Sequence, residues 1–199
     1  MSDNDYDNIF KIIFIGDSNV GKSSLLFRYV KNTFNEYHMT TIGIDFLVKN
    51  IRFEGKSIKL QIWDKCGKEV HGGYLKVFSR YSNGVFIVYD ITDRKSFENV
   101  QWWMDELDSN GPPDICRVLI GNESDLEKYR VVKTEEGESL ARKYGIPVLE
   151  TSAKKSINVK EMFETIIKLM NAKANGLSTN VNNNENSQPT RDKSTCQIY

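Results

Sequence analysis

Cysteine is scarce: Cys66, Cys116 and Cys196 are the only three in 199 residues, and no two stand at a paired or metal-ligand spacing. That excludes a disulfide scaffold and a cysteine-held metal centre, and leaves the reduced thiols of a cytosolic protein. Excess charge is missing too. Lys+Arg and Asp+Glu each number 27, so no net field draws the chain towards nucleic acid or anionic lipid. No apolar run approaches the length of a membrane span. The opening Met1-Ser2-Asp3-Asn4-Asp5 is acidic and polar, the reverse of a secretory signal's basic start. Asn122-Glu123-Ser124 is therefore a chance match to a glycosylation acceptor. Apolar residues also thin out from about Asn175, where Asn180, Asn182, Asn183, Asn184 and Asn186 crowd together. Such a stretch buries too little surface to order itself, so 175–199 is expected to be a disordered tail, and 1–7 a disordered start. What is present is ordinary: 39% hydrophobic and 27% charged residues suit one soluble α/β domain over 8–174.

The most informative segment is Gly16-Asp17-Ser18-Asn19-Val20-Gly21-Lys22-Ser23, which reads G-x-x-x-x-G-K-S. It follows the apolar run Ile9–Ile15 and precedes a helix-compatible stretch, Ser24–Val30. A strand, a glycine loop and a helix in that order make a phosphate cradle. Glycines let backbone N–H groups converge on a phosphate, and the helix N-terminus adds partial positive charge. Lys22 can then reach the β- and γ-phosphates, and the Ser23 hydroxyl can ligate Mg²⁺, with Ser24 just behind it. The chain is expected to bind a nucleoside phosphate.

Further along, Ile42–Glu54 and Ser57–Asp64 flank Gly55-Lys56 and predict an antiparallel hairpin with a glycine turn. Val85–Tyr89, Ile115–Ile120 and Pro147–Glu150 are short apolar runs of the kind buried parallel strands require. Helical patterns cover Ser96–Asp108, Thr134–Tyr144 and Val159–Lys173, the second opening on Thr134 as a capping hydroxyl. Trp102 and Trp103 are expected to pack a helix onto the sheet, and His38 and His71 to be surface residues. Strands alternating with helices predict a doubly wound sheet with ligand loops at the strand carboxyl ends.

The runs Thr40-Thr41-Ile42-Gly43-Ile44-Asp45-Phe46 and Leu60-Gln61-Ile62-Trp63-Asp64 resemble the Rab family of small GTPases. So do Tyr89-Asp90-Ile91-Thr92-Asp93 with Ser96-Phe97, and Glu150-Thr151-Ser152-Ala153-Lys154. The resemblance spans roughly 8–174, with five motifs in the family's order. It implies the P-loop NTPase fold: a mostly parallel six-stranded sheet with one antiparallel strand and helices on both faces. It also implies GTP or GDP with Mg²⁺ as ligands. Thr41 would join Ser23 on Mg²⁺ when the γ-phosphate is present, Asp64 would hold the ion through water, and Gly67 would offer its N–H to the γ-phosphate. Phe34 matches the aromatic that packs on guanine; an ordinary core residue at a helix end is the other reading. Asn122 and Asp125 follow the fifth strand. A carboxylate there can accept both N1–H and N2–H of guanine, a donor pair adenine lacks. Ser152, Ala153 and Lys154 would turn backbone N–H groups to the guanine carbonyl oxygen.

An effector-reading surface is implied over His38, Met39, Thr40, Thr41, Ile42, Gly43, Ile44, Asp45 and Phe46, with Trp63 and Phe78 completing an aromatic cluster. Effectors, an exchange factor and a GTPase-activating protein are the implied partners of a monomer. Cys196-Gln197-Ile198-Tyr199 has the outline of a prenylation box. One lipid chain without a polybasic stretch gives reversible attachment, so the chain is expected to cycle between cytosol and the cytoplasmic face of membranes.

Two breaks in the family pattern alter the expected chemistry. Rab proteins usually carry Asp-Thr-Ala-Gly-Gln-Glu where this chain has Asp64-Lys65-Cys66-Gly67-Lys68-Glu69. The missing glutamine would accept a hydrogen bond from the attacking water, whereas Lys68 has only donors, so slow hydrolysis is expected. Asn-Lys-x-Asp is replaced by Asn122-Glu123-Ser124-Asp125, which reverses a charge beside the nucleotide and is expected to weaken binding. The resulting expectation is a Rab-like switch in vesicle traffic, its alternative a nucleotide-independent binding module on a degenerate GTPase scaffold.

Overall fold

The computed structural model describes residues 5–36, 44–65 and 77–176. Expectations for Thr41, Gly67, Lys68, His71, Cys196 and the segment His38–Gly43 lie outside those residues, and for Ile44 and Asp45 only the backbone is described.

Six strands form one sheet: β1 (Asn8–Ile15), β2 (Ile44–Phe53), β3 (Lys56–Lys65), β4 (Gly84–Asp90), β5 (Cys116–Asn122) and β6 (Val148–Glu150). Their order is β2-β3-β1-β4-β5-β6, with only the β2–β3 pair antiparallel. The described helices are α1 (Lys22–Lys31), α2 (Arg94–Glu98), α3 (Val100–Asn110), α4 (Thr134–Tyr144) and α5 (Val159–Ala174), with a 3-10 turn at Ser124–Tyr129. This is the expected doubly wound, mostly parallel α/β fold.

Side chains alternate across the strands and so build two cores. Phe10, Ile12 and Phe14 of β1 join Phe86, Val88, Val118 and Ile120 against α1 and α5. Ile13 and Ile15 join Val85, Ile87, Tyr89 and Leu119 against α3 and α4 on the other face. Helices therefore lie on both faces, and the loops leaving β1, β4 and β5 open along the same carboxyl edge.

The local expectations need four corrections. The hairpin turn is Glu54-Gly55 (φ 49° and 80°), and Lys56 already pairs with Phe53. Two successive left-handed residues make the turn whose twist suits a hairpin, which places it one residue earlier than Gly55-Lys56. The helix expected over Ser96–Asp108 starts earlier and divides at Asn99. Asp93 caps α2 through Lys95 N–H (3.0 Å), while the Ser96 hydroxyl donates to Asp93 O (2.8 Å). Thr134 is the first residue of α4, not its cap. The Glu136 carboxylate accepts from the Lys133 N–H (2.9 Å), and the Thr134 hydroxyl turns to Glu150 (3.1 Å). Trp103 is buried in the second core, but Trp102 is 38% exposed and meets Trp103 edge-on. Before β1, Asp7 and Ser57 bond each other twice at the sheet's rim. Among the described residues no helix is long and apolar enough to cross a membrane.

Candidate functional site

The loop between β1 and α1 is shaped by backbone that only certain residues tolerate. Gly16 has φ 134°, and a Cβ there would lie 2.1 Å from the Val88 carbonyl oxygen of β4. Gly21 has φ 85° and caps α1, and a Cβ there would meet Asn122 Nδ2 at 2.1 Å. Asn19 is left-handed as well (φ 68°), a conformation asparagine accepts more readily than most residues. Val20 is buried in the first core and anchors the loop from below. The Lys22 ammonium donates to the carbonyls of Gly16 (2.9 Å) and Asp17, lying across the mouth of the loop.

Asp17 behaves differently from its neighbours. Its carboxylate leaves the cradle and accepts from Asn99 Nδ2 (2.6 Å) and the Trp103 indole N–H (3.0 Å). Its side chain therefore positions the loop, and its carbonyl holds the Lys22 ammonium. Removing the indole donor should loosen the cradle without emptying the core. Trp103→Phe is expected to speed nucleotide release by at least about tenfold, as loss of one hydrogen bond to a charged group, worth about 1.5–3 kcal/mol, predicts. Displacement of a fluorescent guanine nucleotide reads that rate.

On the other side of the cradle the Ser23 hydroxyl donates to the carboxylate of Asp64, fully buried near the end of β3. Two hard oxygen donors stand side by side, the ligand chemistry Mg²⁺ selects, so the pair fits the ion that the fold implies. Bound there, it would neutralise phosphate charge.

The base-side residues converge on the same edge. Asn122, fully buried at the end of β5, donates to Val20 O (3.0 Å) and accepts from the Thr151 hydroxyl (3.1 Å). It ties the phosphate loop to the two strand ends. Asp125 accepts from the Ser152 hydroxyl (2.5 Å), which fixes the carboxylate outside β5. The expectation that Ser152 presents its N–H to a base does not hold. That N–H donates to Ile157 O (3.1 Å) in a small bridge, so the residue acts through its hydroxyl. Ala153 is buried and Lys154 is exposed, its ammonium paired with Glu36 (2.8 Å). Phe34 packs against the first core, its ring 5.9 Å from the Arg28 guanidinium.

Arg28 escaped the sequence reading altogether. From α1 it donates to Ala153 O (2.8 Å) and Lys154 O (3.2 Å), clamping the base-side loop. The bonds that Asn99, Trp103 and Thr151 make here were missed as well. Nothing in the local sequence marks these residues, because each acts on a partner distant along the chain.

Glu123 adopts a left-handed backbone (φ 66°) and bends its side chain towards the phosphate loop. Its Oε1 accepts from Asn122 Nδ2 (3.2 Å) and would lie 3.1 Å from a Cβ on Gly21. Burial, then the nearby carboxylates of Asp90 and Asp125, push its carboxyl up to about 7, with Lys154 opposing. An ordinary glutamate loses its proton near 4.5, so the folded chain holds the extra proton between these values. Glu123's contribution to stability therefore falls as pH rises through that window.

Away from the cradle, cross-strand partners Phe46 and Trp63 have ring centroids 4.4 Å apart, and Phe78 stands 5.4 Å from Trp63. The three expected rings do come together. Phe46 is 42% exposed, while Trp63 and Phe78 lean on the second core.

A phosphate loop at the carboxyl edge of a doubly wound sheet places the chain among P-loop nucleotide-binding folds. The sequence pattern of the Ras family matches residues 11–172. Ras-related protein Rab-13 of Bos taurus is 42% identical over 191 residues, covering 96% of this chain and 93% of that one. Ras-related protein RABD1 of Arabidopsis thaliana is 45% identical over 179 residues, covering 90% and 87%. Ras-related protein Rab-8 of Diplobatis ommata is 45% identical over 170 residues, covering 85% and 81%. The chain belongs to the Ras family, as a Rab-like small GTPase.

Proposed function

We propose that this chain is a GTP-binding switch of intracellular vesicle traffic that binds GTP or GDP with Mg²⁺ and recruits effectors while GTP-bound. One observation carries the reading: Asn122 bonds Val20 of the phosphate loop while Asp125 is fixed beside it by Ser152. Phosphate and base elements are thereby braced as one site. In this reading Ser23, Asp64 and Thr41 hold Mg²⁺, and Lys22 with the N–H groups of Gly16–Ser23 holds the phosphates. Asp125 selects guanine, with Ala153 and Lys154 facing its carbonyl oxygen. Phe46, Trp63 and Phe78 form the effector-reading patch, an aromatic cluster of the kind that anchors protein partners. An exchange factor and a GTPase-activating protein act on a monomer, and a prenyl group on Cys196 gives reversible attachment to the cytoplasmic face of membranes.

A second reading, a nucleotide-independent binding module, is favoured by the Glu123 carboxyl standing beside the phosphate loop, where it accepts from Asn122 Nδ2 (3.2 Å). Denaturing the purified full chain and identifying the released nucleotide by chromatography separates the two. Stoichiometric GDP or GTP is the expected result. A folded chain that releases none and takes up none from solution would overturn the switch.

A further inference from the structure

The carboxyl group of Glu123 occupies the seam between the base-side strand end and the phosphate loop. On the loop side it faces Gly21, immediately before Lys22, whose ammonium is engaged by the carbonyls of Gly16 and Asp17. On the β5 side it accepts one amide hydrogen from Asn122. Asp90, ending β4, and Asp125, in the 3-10 turn, bring negative charge to it, and Lys154, after β6, brings positive charge. Lys154 is itself paired with Glu36. The carboxylate of Asp17 points away to Asn99 and Trp103, so it adds no charge on this side of the loop. Two carboxylates thus already act on Glu123 before any phosphate arrives.

We propose that guanine-nucleotide binding to this chain is coupled to proton uptake by Glu123, so that affinity rises as pH falls through neutrality. The proposal rests on the nucleotide-binding reading above. Phosphates bring further negative charge to a cradle whose Gly21 lies close enough to the carboxyl that an added Cβ would stand 3.1 Å from it. The ionised form of Glu123 is repelled and the neutral form is not. The group stands near half-protonation at neutral pH before binding, and the phosphates raise its proton affinity again. Binding therefore draws further protonation onto Glu123. By linkage the dissociation constant grows with pH until the bound form also loses that proton.

Affinity of a fluorescent GDP analogue, measured for the full chain and for Glu123→Gln between about pH 6 and about pH 8.5, tests this. Phosphate titration of the nucleotide is common to both proteins, so the difference between their curves isolates Glu123. The unmodified chain is expected to lose about sevenfold more affinity than Glu123→Gln across that range, the consequence of roughly one unit of further pKa shift. Parallel curves would overturn the proposal while leaving nucleotide binding intact. Failure of the unmodified chain to bind at any pH would instead overturn the nucleotide-binding reading. Calorimetry of the unmodified chain, in buffers of different ionisation enthalpy near neutral pH, needs no variant. It is expected to read net uptake beyond that from the nucleotide's own phosphate, and its absence would overturn the coupling.

Discussion

Gly21→Ala is expected to lower guanine-nucleotide affinity by at least about a hundredfold, the equivalent of roughly 3 kcal/mol. Two costs add. A side chain at φ 85° occupies a left-handed conformation that disfavours Cβ by about 1–2 kcal/mol. The new Cβ would also fall 2.1 Å from Asn122 Nδ2, far inside van der Waals contact, so the amide must withdraw. Its bonds to Val20 O and the Thr151 hydroxyl then go together, and groups buried without partners cost about 1–3 kcal/mol each. The damage lands where the phosphate loop is braced against β5. Gly55→Ala supplies the contrast, because its φ is 80° but nothing lies within 4 Å of the added carbon. It should lower stability by about 1 kcal/mol and leave affinity unchanged. Titration with a fluorescent guanine nucleotide, beside thermal unfolding of both variants, checks the pair. Equal affinity losses in the two would show that backbone strain alone, and not the Asn122 contact, sets the effect.

Which parts of this molecule the sequence disclosed follows from how far each cause acts. β1, β4 and β5 were legible because strands buried on both faces read as unbroken apolar runs. The boundaries of α4 emerged residue for residue at Thr134–Tyr144, though its capping group did not. Glu136 outcompetes the threonine hydroxyl, which has a longer-range partner in Glu150. The loop between β1 and α1 was legible because its glycines, lysine and serine fall within eight consecutive residues. Its braces were not. Trp103 reaches Asp17 across 86 positions and Arg28 reaches Ala153 across 125, through single side-chain bonds that leave no periodicity behind. Glu123 falls between these cases. Its reversed charge is plain in the sequence, but its proton affinity depends on burial and on Asp90, one strand away.

Lys68→Gln is expected to accelerate GTP hydrolysis about ten- to a hundredfold, which corresponds to roughly 1.5–3 kcal/mol off the barrier. Hydrolysis needs a water held in line with the γ-phosphate, and orienting that water takes a group that accepts its hydrogen. Glutamine carries an acceptor and donors on one amide. An ammonium carries three donors and no acceptor, so on this expectation Lys68 would meet phosphate oxygens without orienting the attacking water. The rival role for the same cation is to stabilise transition-state charge, as an arginine finger does, and Lys68→Ala distinguishes the two. If the lysine contributes charge, alanine slows hydrolysis further. If the defect is the missing acceptor, alanine leaves the slow rate nearly unchanged and only glutamine raises it. Single-turnover measurements on the three proteins, loaded with GTP and started by Mg²⁺, read the difference directly. A fast rate in the unmodified chain, unaltered by glutamine, would sink the expectation of a long-lived GTP state. A slow rate rescued by glutamine alone would mean that this switch keeps its grip on GTP and has lost only the means of timing its release.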